Sequence, residues 1–312
     1  MGSGFPVRRV VVLVALQVVA LLALVLWWQH ANGDHHHQQL KLAAVTTPAA
    51  TTHRFDVERA LRTVRMQLAA GPRPAASPAL REVAEKLRRR LPDAHFEDVP
   101  DNPGMRNIVG ELPGTEPAIV LGAHYETINR PKGFVGANDA AAAVGALVEI
   151  AHDLRHADRG PDAPAIKFVL FDGEEELAPT DDFYADALRG SKAYMNAHAG
   201  QVRAMLLLDY MGNKGVRLPR EATSDAALWK QVRAAARRVG TESIFPSATE
   251  TGILDDHTPF LRAGVPAVDF IDWSYPVAHT LDDNYDHLSA AAIDAVGETV
   301  TDLLLHWPQS IG

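Results

Sequence analysis

The sequence predicts an α/β domain, a three-layer α/β/α sandwich around a mostly parallel central sheet. Three observations predict it. Short apolar runs alternate with longer helical stretches from about residue 94 onward, the signature of strand–helix–strand units. The runs at 118–123, 166–171 and 204–208 are apolar at nearly every position, as in strands buried on both faces. The chain has 312 residues, 47% of them hydrophobic, enough for one large core.

Taken in order, residues 1–9 read as a short basic cytoplasmic segment. Residues 10–28, VVVLVALQVVALLALVLWW, have Gln17 as their only polar interruption. At about 1.5 Å per residue this run spans roughly 28 Å, close to the hydrocarbon thickness of a bilayer. Arg8 and Arg9 precede it and Trp27 and Trp28 end it, the flanks of a membrane helix with its basic end inside. No small-x-small cleavage site follows, so the expectation is an uncleaved signal anchor, with secretion after cleavage as the alternative. An anchor places the remainder in the periplasm or outside the cell. Residues 29–54, polar and rich in Ala, Thr, His and Gln, read as a flexible linker.

The catalytic domain is expected over 55–312. An amphipathic helix runs to Leu68 and stops at Gly71-Pro72-Arg73-Pro74; Ser77 caps a second that reaches Leu91. Strands follow at 94–99, 107–112, 118–123, 166–171, 204–208 and 267–271, and helices at 140–155, 191–197, 225–239 and 290–305. The net charge of −9 gives no basic footprint for nucleic acid. The absence of cysteine excludes disulfides, thiolate metal sites and a cysteine nucleophile.

In such folds ligands bind beyond the carboxyl ends of the strands. There the sequence concentrates its acids and histidines. His124 ends the strand at 118–123, and Asn138-Asp139 opens the following helix. Asp172-Gly173-Glu174-Glu175 follows the strand at 166–171, Asp209 the strand at 204–208, and His279 lies in the loop after 267–271. Taken singly, each has a bland explanation as a cap or surface charge. Jointly they offer imidazole and carboxylate oxygen, the ligands zinc takes when thiolate is missing, and so many carboxylates together would repel one another without a cation.

These segments resemble the M28 group of zinc metallopeptidases, which includes bacterial aminopeptidases and animal-type glutaminyl cyclases. The resemblance rests on GAHYET (122–127), GANDAAAAVGAL (136–147), FDGEE (171–175), LLLDYMG (206–212), LDDHTPFLRAGVPAVDFI (254–271) and AHTLDDNYDHL (278–288), all in the family's order. It implies that His124 and Asp209 hold one zinc, Glu175 and His279 a second, and that Asp139 bridges them, with Glu174 as general base. Consecutive residues at an extended strand end point to opposite sides, so Glu175 ligates while Glu174 faces substrate. Glu126, where the family usually has Asp, is expected to orient His124. Asp172 is expected to do the same for Glu175, and Asp282 and Asp283 to orient His279 or cap a turn.

The resemblance implies action on the N-terminal end of peptides and leaves two reactions open. An aminopeptidase would use two zinc ions and metal-activated water. A glutaminyl cyclase would use one, held by Asp139, Glu175 and His279, with the acids at 174, 209 and 255 relaying protons. Asp255, where many aminopeptidases have Ser, points to the cyclase. Ala278, where cyclases carry a tryptophan, points away from it, unless Trp273 or Tyr275 replaces that ring. The sequence reading favours the aminopeptidase, with the cyclase as alternative. An inactive M28-like binding domain ranks third, because Glu174 and the ligand set are intact.

Overall fold

The computed structural model describes residues 46–308. The apolar run at 10–28, expected as a membrane anchor, lies outside the described residues, among which no helix is long and apolar enough to cross a membrane. The end of the expected linker belongs to the domain instead. Thr51 donates its backbone N–H to Val239 O at 2.9 Å. The Thr52 hydroxyl and the Phe55 N–H both bind the buried carboxylate of Glu298, at 2.6 and 2.9 Å.

Helix α1 (Val57–Leu68) is capped by Asp56, whose side chain accepts from Arg59 N. Helix α2 (Pro78–Arg88) is capped by Ser77 and has proline in its first turn, where a missing N–H costs nothing. The sheet is built from β1 (His95–Asp98), β2 (Arg106–Leu112), β3 (Thr115–His124), β4 (Pro164–Phe171), β5 (Val202–Leu208) and β6 (Ala267–Phe270). Their order is β1-β2-β4-β3-β5-β6. The four strands β4, β3, β5 and β6 run parallel, and β1 and β2 add an antiparallel edge.

The period-2 alternation of β3 sorts its side chains onto two cores. Ile119, Leu121 and Ala123 face a large cluster built with α1, α3 (Ala143–His156), α5 (Ala226–Arg238) and α7 (Ala290–Leu305). Val120 faces a smaller cluster with Tyr194 of α4 (Arg189–Ala197) and Phe260 of α6 (Thr258–Arg262). Both faces of the sheet are covered, which is why β3, β4 and β5 read as nearly unbroken apolar runs.

Strand β3 lies between β4 and β5, so the chain leaves it first to one side and later to the other. That reversal opens a crevice at the carboxyl edge of the sheet. Two expectations for this edge change. Helix α3 starts at Ala143 rather than near 140, because Asp139 takes an extended conformation (φ −112°, ψ 85°) inside the irregular turn Ala137–Ala142. Strand β4 ends at Phe171, so Glu174 and Glu175 sit in a loop rather than on an extended strand end. Gly173 bends that loop at φ +82°, where a Cβ would meet Met105 Sδ at 2.9 Å.

Candidate active site

Each parallel strand delivers part of one cavity of about 80 Å³. Its walls include His124 from the end of β3, Glu174 and Glu175 from the loop after β4, Asp209 after β5, and Asp139, Asp255 and His279 from loops. All but His279 are buried.

Asp139 stands at the centre. One carboxylate oxygen is 3.1 Å from His124 Nε2 and the other 3.3 Å from His279 Nε2. His124 Nε2 is also 3.6 Å from Asp209, and His279 Nε2 is 3.3 Å from Glu175. Two triads therefore share Asp139: His124–Asp139–Asp209 and Asp139–Glu175–His279. Ligand atoms arranged tetrahedrally around zinc at about 2.0–2.2 Å stand roughly 3.3–3.6 Å apart. The donor set and its spacing fit that ion at either triad.

Residues outside the triads hold them in place. Asp283 is fully buried and accepts from the backbone N–H groups of Asn138 and Asp139, at 2.9 and 3.2 Å, and from the Tyr275 hydroxyl at 2.8 Å. The Asp139 side chain is thus released from capping its own helix and turned into the cavity. Gly136 makes this turn possible: it takes φ +54°, and a Cβ there would lie 1.7 Å from Asp139 O. Tyr210 places its hydroxyl 3.3 Å from Asp139 and 3.1 Å from His279 Nε2. Phe134 packs edge-on against the His279 ring. Tyr210 and His279 both adopt left-handed backbone, φ 40° and 53°, a strained state that concentrates at functional sites.

Three expectations about supporting residues change. Glu126 does not hydrogen-bond His124: its carboxylate is 3.8 Å from Nδ1 and accepts instead from the Glu175 backbone N–H at 3.1 Å. Asp172 accepts from Arg106 N at 3.0 Å and from the Tyr125 hydroxyl at 3.4 Å, tying β2 to β3 beneath the site rather than orienting Glu175. Asp282 is exposed, and the buried carboxylate of this segment is its neighbour Asp283. Tyr275 is likewise turned to Asp283 and does not line the cavity. Trp273 does, stacked over Tyr210 with ring centroids 6.4 Å apart.

Burial and crowding set the protonation of this cluster. Burial pushes Glu174 well above the usual carboxylate range, helped by Glu175, Asp255 and Asp256. Burial also lifts Glu175 to about 7, with Asp139 adding to it, and lifts Asp255 to about 7, reinforced by Asp209. Asp139 goes the other way: although burial opposes it, the imidazoles of His124 and His279 hold its carboxyl low.

Sequence reasoning missed Arg73, which is fully buried and donates to the carbonyls of Val135 and Gly136 at 2.6 and 3.3 Å. Its charge faces Asp139, Asp283 and Glu126. A lone arginine between two prolines was the available signal. Tyr210 and Phe183, also on the cavity wall, carry no residue-type signal for chemistry.

The family model for Peptidase family M28 matches residues 107–304. Among curated proteins, the glutaminyl-peptide cyclotransferase of Bos taurus is 28% identical over 238 residues, which cover 64% of this chain and 66% of that protein. The chain thus spans less than two thirds of that relative's length. Among solved structures, a glutaminyl cyclase from an Acidobacteriales bacterium superposes with a TM-score of 0.70 at 27% identity, covering 84% of this chain and 98% of that one. A leucine aminopeptidase precursor from Bacteroides thetaiotaomicron superposes with a TM-score of 0.71 at 26% identity, covering 83% and 100%.

Proposed function

Because the chain belongs to peptidase family M28, we propose a reaction at the N-terminus of a peptide, and specifically closure of an N-terminal glutamine to pyroglutamate with loss of ammonia. Asp255 carries this reading. Hydrolysis by activated water asks for one general base, which Glu174 supplies. Here a second buried carboxyl, lifted to about 7, lines the same cavity beside Glu174 and Asp209. Ring closure has a use for such a group: the α-amine loses a proton as it attacks the γ-carbonyl carbon, and the departing amide nitrogen gains one. Glu174 takes the first, and the acid pair Glu174–Asp255 returns one to the ammonia that leaves. A zinc ion held by Asp139, Glu175 and His279 would polarise the γ-carbonyl oxygen.

The wall chemistry supports the same reading. Ala278 removes the ring that cyclases carry there, but Trp273 of the same loop, with Tyr210 and Phe183, supplies aromatic lining. The name of the Bos taurus relative points the same way. The second triad, His124–Asp139–Asp209, favours the alternative, a two-zinc aminopeptidase like the Bacteroides neighbour by name.

Purified protein given an N-terminal glutamine peptide is expected to yield a product of unchanged chain length that has lost ammonia. Release of free glutamine would refute the cyclase and support the peptidase, and a zinc content of two per chain rather than one would point the same way. On the apolar run at 10–28 we also propose that the catalytic domain is held outside the cytoplasm. Recovery of the full chain in the soluble cytoplasmic fraction would refute that.

A further inference from the structure

Among the described residues, five large apolar side chains are exposed: Leu177 (48%), Leu254 (43%), Trp273 (60%), Leu281 (56%) and Tyr285 (37%). Tyr285 is engaged elsewhere, under the guanidinium of Arg65 and bonded to it at 2.6 Å. The other four come from three loops, each of which also supplies residues of the cavity wall. Leu254 and Trp273 line it directly. Leu177 follows Glu175 by two residues and Leu281 follows His279 by two. The loop at 129–134, whose Phe134 packs against His279, touches both of these. Asn129 donates to Leu177 O at 2.9 Å, and Leu281 Cδ2 lies over Gly133, 3.7 Å from where a Cβ would stand.

Scattered single apolar side chains on a surface need no explanation, but apolar side chains gathered around a polar cavity mark a binding surface. We propose that Leu177, Leu254, Trp273 and Leu281 form a collar that receives the second and third residues of the substrate and selects peptides with apolar or aromatic side chains there. The proposal rests on the reading that the cavity takes a peptide N-terminus. A cavity of about 80 Å³ has room for one side chain. The rest of the peptide leaves by the mouth, and at about 3.3 Å per extended residue its next two residues cross the rim. A buried leucine or phenylalanine gains enough, relative to a serine, to favour its peptide by roughly ten- to a hundredfold.

The test compares two peptides of equal length, Gln-Phe-Leu and Gln-Ser-Ser at their N-termini with a common remainder. Two measurements are made: kcat/KM for consumption by either ring closure or hydrolysis, and affinity for Glu174→Gln protein by calorimetry. The expected result is a preference of at least about tenfold for the apolar peptide, reduced to within a few-fold by Leu177→Ser together with Leu281→Ser. Equal consumption and equal affinity in the wild-type background would overturn the collar. So would a preference that the double substitution leaves untouched. A preserved preference with hydrolysis in place of ring closure would refute the cyclase reading alone, and the affinity comparison reads the collar whichever reaction follows.

Discussion

Replacing Arg73 by methionine tests how the acids of this site are held together. The guanidinium is fully buried, bound to two backbone carbonyls at 2.6 and 3.3 Å, and faces the carboxyls of Asp139, Asp283 and Glu126. Burial draws its pKa down to about 10, and those three carboxyls keep it from falling further. It therefore stays charged at neutral pH. Hydrogen bonds to a charged donor contribute roughly 1.5–3 kcal/mol each, although the 3.3 Å contact belongs at or below the low end. Removing one member of a buried charge group costs about 3–5 kcal/mol, because the remaining charges are left uncompensated. Methionine fills much of the volume, so the cavity term is small. The two estimates describe overlapping interactions, and together they set the loss at about 4 kcal/mol. For a domain of this size that is a fall in Tm of roughly 8–16 °C. Differential scanning calorimetry of Arg73→Met measures it, with Arg73→Lys as the control that keeps the charge and loses the planar fork. Arg73→Lys is expected to fall between the two. If Arg73→Met melts within about 2 °C of wild type, the buried cation does not organise the site as argued.

Other expectations follow from the same geometry. Asp283→Asn turns one of the oxygens that accept from Asn138 N, Asp139 N and the Tyr275 hydroxyl into a donor; zinc affinity, read by competition with a chelator, should fall about 10–100-fold, and an unchanged affinity would show that Asp139 positions itself. Glu149 is buried beside Arg59, at 3.0 Å, and burial, with Asp153 adding to it, pushes its carboxyl up to about 8. Because the folded state binds this proton more tightly than the unfolded chain, its contribution is fully present below about pH 4.5 and is lost as pH rises toward 8, by roughly 4–5 kcal/mol. Glu149→Gln should therefore be the more stable protein at pH 8 and show a flatter stability profile between pH 5 and 8; a lower Tm than wild type at pH 8 would contradict this. Gly297 packs under the Phe55 ring, and a Cβ there would lie 2.5 Å from Phe55 Cδ2, so Gly297→Ala should destabilise by about 1–3 kcal/mol in urea unfolding; a neutral result would mean that Phe55 has room to move.

Much of this was legible in the sequence because it was written in local patterns. Strands buried on both faces have to be apolar at every position, so β3, β4 and β5 announced themselves, and the rule that ligands bind at the carboxyl ends of such strands located the edge. His124, Glu174, Glu175 and Asp209 follow their strands directly, so their place was fixed once the strands were. Asp139 and His279, in loops, were placed at the same edge by the strands they follow, and the motif resemblance implied their roles. What depended on contacts across the chain was not legible. Two adjacent acids, Asp282 and Asp283, differ in the sequence by one position only; folding exposes the first and buries the second against Asn138 and Asp139, 145 and 144 residues away. Two aromatics, Trp273 and Tyr275, were equal candidates for the cavity wall; both rings pack against Tyr210, but the turn between them leaves the first exposed on the wall and buries the second with its hydroxyl on Asp283. The Glu126 carboxylate is held by the backbone of a loop that follows another strand. The sequence alone determined which residue types would gather and at which edge of the sheet, because strand periodicity, and which residues follow each strand, are short-range features of the chain. Only the tertiary structure decided which carboxylate faces the cavity and which faces the backbone, because that choice depends on hydrogen-bond partners brought together from distant parts of the chain.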